Sequence, residues 1–408
     1  MPHRRDSSKA PMASGGDPFG ALPDAVVQQV LGFLPARDTV RTCVLAQRWR
    51  PLWRSVPRLR ITNVEARGCT WTLDRFVNRV LLLREPGCPL DKCEFNLRGF
   101  PHLDRACVDQ WVRHALMCHV RVLQVRLCAE ERIELADWPL FSEHLVRLEL
   151  EGVVLGGSFV DFSTCPVLED LNITNCLIDT DKIFSQSLKH LSITSCELCW
   201  RSVPMHVSAP NLISLRLDDY VGVTPILESM SSLENASVKL GHNNEEYCDF
   251  CDKDSSGDCT CGMSLINYAN GSRNGDVSVL LGGLSSAAHL ELKASPGMVT
   301  FKRDLKYCPI FSKLKTLVLT DWCLVDLHTL VCFLQHTPIL EKLILKLSKK
   351  PKTADEMEGN YLMEQSLTLR QLKSVELKCQ IIDGRVDNIL EILRSCSIDL
   401  KNIIVQEI

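Results

Sequence analysis

The sequence predicts an α/β chain in which a short helical module precedes a long coil of strand-forming units laid side by side in a parallel sheet. Two observations carry this. Between Ala21 and Val56, ALPDAVVQQVLGFLPARDTVRTCVLAQRWRPLWRSV, the apolar residues fall at helical spacing. Beyond it the pattern L-x-x-L-x-L returns, with apolar first positions at Val120, Leu145, Leu168, Leu188, Leu212, Leu233, Ala287, Leu314, Leu340, Leu372 and Leu400. At 408 residues, with 45% apolar and 24% charged residues, the chain can bury a large core. Its net charge of -4 gives no reason to expect a nucleic-acid or membrane-surface partner. No apolar run approaches the roughly 18 residues of a membrane span.

The helical module reads in order. Pro23 and Asp24 open a helix, with proline in the first turn and a carboxylate near the positive end of the dipole. Val26, Val27, Val30, Leu31, Phe33 and Leu34 follow at helical spacing, and Pro35 stops the run. Asp38 is placed to cap a second helix carrying Val40, Cys43, Val44 and Leu45. A third segment sets Leu45, Trp49, Leu52, Trp53 and Val56 in one stripe. About 40 residues of short helices cannot bury so much apolar surface alone. The surplus is covered either by the rest of the chain or by another protein.

LPDAVVQQVLGFLPARDTVRTCVLAQRWRPLW resembles the F-box, the three-helix module that docks on the adaptor subunit of SCF ubiquitin ligases. The likeness covers Leu22-Pro23, the Leu31 and Leu34 pair and Arg48-Trp49-Arg50. It implies that Leu22, Pro23, Val27, Leu31, Leu34, Leu45, Trp49, Leu52 and Trp53 contact the adaptor, and through it a cullin.

From Pro57 onward the chain repeats. Thr72 to Glu85 carries Phe76, Val77, Val80 and Leu81 on one helical face, before an extended CEFNL at 93–97. Leu103 to Met117 is a second helical run and leads into a strand from Val120. The later units recur mostly at the 20 to 29 residues of a leucine-rich repeat, and the long interval from Leu233 to Ala287 reads as two periods with an insertion. Leu168, Leu171, Ile173, Cys176, Ile178 and Leu188, Leu191, Ile193, Cys196, Leu198 fit the longer template L-x-x-L-x-L-x-x-N/C-x-L, and Cys128 takes its ninth position in an earlier unit. Stacked units share one core, which gives a solenoid with a parallel sheet on its concave face. The units resemble the plant F-box/leucine-rich-repeat family and its FBD-type relatives: Cys165-Pro-Val-Leu-Glu-Asp-Leu-Asn-Ile is like the family's CPxLExLxL signature, and Thr337-Pro-Ile-Leu-Glu-Lys-Leu-Ile-Leu is a second copy. The division expected is a disordered basic tail at 1–16, an F-box at 17–57 and a leucine-rich-repeat solenoid at 58–408.

Twenty cysteines scattered through apolar positions, after an opening segment with no apolar core, read as reduced thiols of an intracellular protein, nuclear or cytoplasmic. One segment, 242–276, breaks the period. It is acidic and holds Cys248, Cys251, Cys259 and Cys261, which leaves a zinc loop open beside the default of a flexible insertion without metal. No catalytic motif is present, neither G-x-S-x-G, H-E-x-x-H, a Walker loop nor G-x-G-x-x-G, so no enzyme and no cofactor are expected.

Three function classes follow. The resemblance favours a substrate receptor of an SCF-type ligase; the alternatives are an F-box/leucine-rich-repeat scaffold acting without ubiquitination, and a metal protein centred on the insertion. The target would be a protein, held on the concave face. Solvent-facing template positions from the Leu145 to the Leu212 unit carry two positive and four negative residues, and from the Leu233 unit onward five positive and two negative. A face acidic near the module and basic far from it makes Lys293, Lys342, Lys346 and Lys378, with Val318 and Ile344 as apolar anchors, the candidate target-binding set. Chance accounts for so small an imbalance equally well.

Overall fold

Alternation of apolar and polar residues, period two, runs through every repeated unit, and each such stretch is a strand. The computed structural model describes residues 22–45, 47–62, 70–100, 102–128, 130, 132–135, 138–198, 204–222, 224–240, 280–294, 304–305, 307–321, 327–347, 371–395 and 403–407. The expected basic tail and the cysteine-bearing insertion lie outside them.

Three short helices come first: α1 (Asp24–Leu31), α2 (Ala36–Arg41) and α3 (Trp49–Leu52), with 3₁₀ turns after the second and third. Pro35, with extended backbone, stands at the N-cap of α2, so Asp38 does not cap it. Asp38 lies in the first turn instead and pairs with Arg41 at 3.3 Å. Proline cannot donate an amide and so fits a helix start, and Pro35 both ends the apolar run of α1 and begins α2.

Thirteen strands then form one sheet: β1 (Arg58–Thr62), β2 (Lys92–Asn96), β3 (Val122–Arg126), β4 (Arg147–Glu151), β5 (Asp170–Thr174), β6 (His190–Thr194), β7 (Ser214–Tyr220), β8 (Asn235–Leu240), β9 (His289–Ala294), β10 (Thr316–Asp321), β11 (Lys342–Leu347), β12 (Ser374–Cys379) and β13 (Ile403–Glu407). They are parallel and lie in chain order, each paired with its neighbours in sequence. Parallel neighbours require a return segment. Helices α4 (Thr70–Leu82), α5 (Arg105–Met117), α6 (Leu281–Leu284), α7 (Leu327–Gln335) and α8 (Gly384–Ser395) supply some of these returns. Between β3 and β8 the returns are extended, and they stack into two further small parallel sheets of four and three strands.

Register explains the core. Leu148, Leu171, Leu191, Leu215, Ala236, Leu290, Leu317, Leu343 and Val375 face one another on successive strands, all buried, with Leu150, Ile173, Ile193, Leu217, Val238, Leu292, Leu319, Leu345 and Leu377 two residues on. A buried leucine contributes about 2 kcal/mol, so the row is a continuous source of stability that no single unit holds alone.

The exits from the strands repeat as well. Gly152, Asn175, Ser195 and Asp219 occupy equivalent places and all have positive φ, 73°, 51°, 51° and 53°. Small or locally hydrogen-bonding residues tolerate that backbone best. Beyond this turn Cys176 and Cys196 point inward, and their thiols donate to the Thr174 and Thr194 carbonyls at 3.3 Å. Cys128, at the same template position of an earlier unit, is only half-buried.

The helical module and the sheet share an interface. Ala36 of α2 belongs to the core of the sheet, and Val40 and Trp53 pack against that core. Arg84, buried, donates to the Val56 carbonyl at 3.0 Å, and the Glu85 amide donates to the Arg54 carbonyl at 3.0 Å. Part of the surplus apolar surface is thus covered by the chain itself.

Candidate protein-docking surfaces

Helix α1 is apolar on two stripes one residue apart. Val27 and Leu31 are 2% and 1% exposed and form a small core with Trp49, Leu52 and Val56, on which Leu22 packs. Val26 and Val30, on the adjoining stripe, are 43% and 54% exposed, and Phe33 and Leu34 continue that stripe into the turn. Val44 and Leu45, at the 3₁₀ turn after α2, are more exposed still, at 82% and 70%.

Polar bonds hold this small core in place. Arg48 donates through Nε to Asp24 Oδ1 at 2.8 Å and also bonds the Leu22 carbonyl, tying the start of α1 to the start of α3. Gln28 Nε2 donates to Ser55 Oγ at 2.7 Å, and the buried Thr39 hydroxyl donates to the Leu31 carbonyl at 3.0 Å. Under Phe33, Arg60 donates to the backbone carbonyl at 2.8 Å and the Arg58 guanidinium lies 4.8 Å from the ring centroid.

Residues 19–61 match the family model of the F-box domain. The chain carries an F-box domain. The likeness extends beyond it to F-box/FBD/LRR-repeat proteins of Arabidopsis thaliana, two of which are 26% identical over 90% and 92% of this chain and 84% and 88% of their own length. An F-box/LRR-repeat protein of the same plant is 26% identical over 83% of this chain and 95% of its own length. Of the nine F-box residues expected to touch an adaptor, Val27, Leu31, Trp49 and Leu52 are spent on the domain's own core. Trp53 leans on the sheet, Leu22 is half-buried, and Pro23, Leu34 and Leu45 are exposed. The expected stripe from Leu45 to Val56 is divided between three surroundings, because α3 has only four residues and Leu45 lies outside it. Val26, Val30, Phe33 and Val44, absent from the expected set, complete the exposed one.

The second surface is the solvent side of the sheet. Lys293, Val318, Lys342, Ile344, Lys346 and Lys378 do share this face on four adjacent strands, β9 to β12. Their charges are largely engaged. Lys346 Nζ lies 3.0 Å from Glu291, and Lys342 and Lys378 flank Glu376 at 2.5 and 3.2 Å. Val318 and Ile344 are half-buried rather than exposed anchors. Among the described residues Lys293 alone of the four lysines has no acidic partner.

The acid-to-base polarity expected along the face does not hold. The sheet begins at Arg58, so Arg58, Arg60, Lys92 and Arg126 join the end that was read as acidic, against Glu94 alone. Glu94 sits beneath three of them, 3.3 Å from Arg60, 3.8 Å from Lys92 and 3.6 Å from Arg126. Among the described residues no helix is long and apolar enough to cross a membrane.

Proposed function

We propose that the chain is the substrate-recognition subunit of an SCF-type E3 ubiquitin ligase. In this reading residues 17–57 are its adaptor-binding domain and residues 58–408 a leucine-rich-repeat solenoid whose sheet face binds a protein target. The observation that carries the reading is the exposed apolar stripe of Val26, Val30, Phe33 and Leu34, together with Val44 and Leu45, on a domain matching the F-box model. Exposed apolar patches of this kind mark protein contact sites. The adaptor covers this stripe and links the chain to a cullin. Catalysis comes from elsewhere in the ligase. Holding a target lysine beside the charged conjugating enzyme makes transfer effectively intramolecular. The chain-order stack of parallel strands, and the likeness over most of the chain to F-box/LRR-repeat proteins, support the solenoid assignment.

The test is co-purification with adaptor and cullin from a plant extract. The V30E/L45E variant alters two exposed positions and leaves the domain core untouched, so it should lose both partners while melting as the parent does. Full retention of both would remove the adaptor-binding role.

A further inference from the structure

Among the described residues one group gathers three soft metal ligands. Cys308, Cys332 and His336 each offer a donor atom, all within 4.8 Å of one another. Cys308 lies on the segment entering β10, and Cys332 and His336 lie four residues apart on α7 and its exit. Cys332 is buried, and the other two are half-buried, so a cation could reach the group from outside.

The hydrogen bonds of these thiols to backbone carbonyls are long. Cys308 Sγ reaches the Pro309 carbonyl at 3.8 Å and Cys332 Sγ the Leu305 carbonyl at 3.8 Å, against 3.3 Å for Cys176 and Cys196. His336 Nδ1 lies 2.8 Å from the Cys332 carbonyl and 3.9 Å from its sulfur. A carbonyl only accepts, so Nδ1 carries the proton and the lone pair sits on Nε2, the orientation by backbone that metal-ligating histidines use. Tetrahedral zinc, with bonds of about 2.3 Å to sulfur and 2.0 Å to nitrogen, separates its ligands by about 3.5 to 3.8 Å. To meet that the donor atoms draw in from spacings of up to 4.8 Å and the imidazole turns to present Nε2. Its base is firm: the Phe311 amide donates to the His336 carbonyl at 2.8 Å, and the fully buried rings of Phe311 and Phe333 lie 6.1 Å apart.

Repetition alone does not explain the cluster. The template place that Cys165 fills in an earlier unit, three residues before the first leucine, is filled here by Phe311, so Cys308 is not a recurring template cysteine. We propose that Cys308, Cys332 and His336 bind a zinc ion, with a fourth position left to water, and that the ion staples α7 to the segment entering β10. Two thiolates and an imidazole suit zinc over the hard cations magnesium and calcium. The two thiols release their protons on binding, so uptake lowers the pH of an unbuffered solution. The role is structural, and the proposal is independent of the ligase reading.

The experiment uses the full chain carrying C248S, C251S, C259S and C261S, which removes the other thiol cluster from the account. Titration with cobalt(II) should give the tetrahedral ligand-field and thiolate charge-transfer bands at one ion per chain, and zinc should displace it. H336Q should weaken zinc binding at least tenfold, and C308S should abolish the charge-transfer band from one thiolate. Because C332S alters a buried position, H336Q and C308S decide the matter if it fails to fold. Absence of the bands in the parent, their survival in both variants, or a Cys308–Cys332 disulfide found by mass in place of metal would each overturn the proposal.

Discussion

Lys346 on β11 reaches across β10 to Glu291 on β9, Nζ to Oε1 3.0 Å, so the pair clasps three strands rather than two. The face proposed to hold a target is therefore charge-matched within itself, and a partner must displace these pairs or use the cations left over. Lys293 stands in the same cross-strand row as Lys346 and Lys378. K293E should accordingly weaken target capture more than K346E does. Proximity labelling followed by quantitative pull-down measures this, and a larger loss from K346E would contradict the pairing argument.

On the same face Asp218 sits 2.8 Å from Arg216 and 3.1 Å from Lys239. Burial pushes its carboxyl up, but the two cations outweigh it and hold the group below the usual carboxylate range. A depressed native value contributes stability that is complete above the unfolded value, about 3.9, and is lost as pH falls through the lower native one. D218N should thus melt lower than the parent at neutral pH, by at most about 1 kcal/mol for a partly solvated group, and the gap should close in acid. Melting curves taken across pH 2 to 7 read the difference.

Gly152 has φ of +73°, and a Cβ there would lie 2.8 Å from the Leu127 carbonyl oxygen. G152A should cost about 1–3 kcal/mol in chemical denaturation. N175G, at the equivalent turn, already has the backbone glycine prefers and should change stability by less than about 1 kcal/mol.

Leu217 is buried at the centre of the sheet core. L217A should lose about 2–5 kcal/mol by denaturant midpoint, leaving adaptor capture by the folded fraction unchanged. L31A should behave differently from V30E: it empties the F-box core, so adaptor binding and the melting of that domain should fall together. V30E should separate them.

The parallel sheet was readable from sequence because alternation and period are properties of each unit on its own. Thirteen strands follow from eleven template starts only after Arg58–Thr62 and Lys92–Asn96 are added; their second and fourth residues are buried as in β3 to β12. The F-box was readable as a motif, and the division of its apolar residues between core and surface was not. Val26 and Val27 are equally apolar neighbours, and which of them faces inward depends on where Trp49 and Leu52 come to rest. Lysine pairing across strands was equally invisible, since Lys346 and Glu291 are 55 residues apart in sequence. The group of Cys308, Cys332 and His336 is invisible in sequence for the same reason, since Cys308 meets Cys332 only once two return segments have stacked.

The order of the strands bears on how the protein is made. Each strand pairs with the one before it and the one after it, so a strand leaving the ribosome finds its docking edge already built and waits for nothing synthesised later. The F-box, with Ala36 seated in the sheet core and Trp53 against it, serves as the starting plate on which β1 is laid. Growth from there is vectorial, and the edge at which the large sheet is extended is always that of the newest strand.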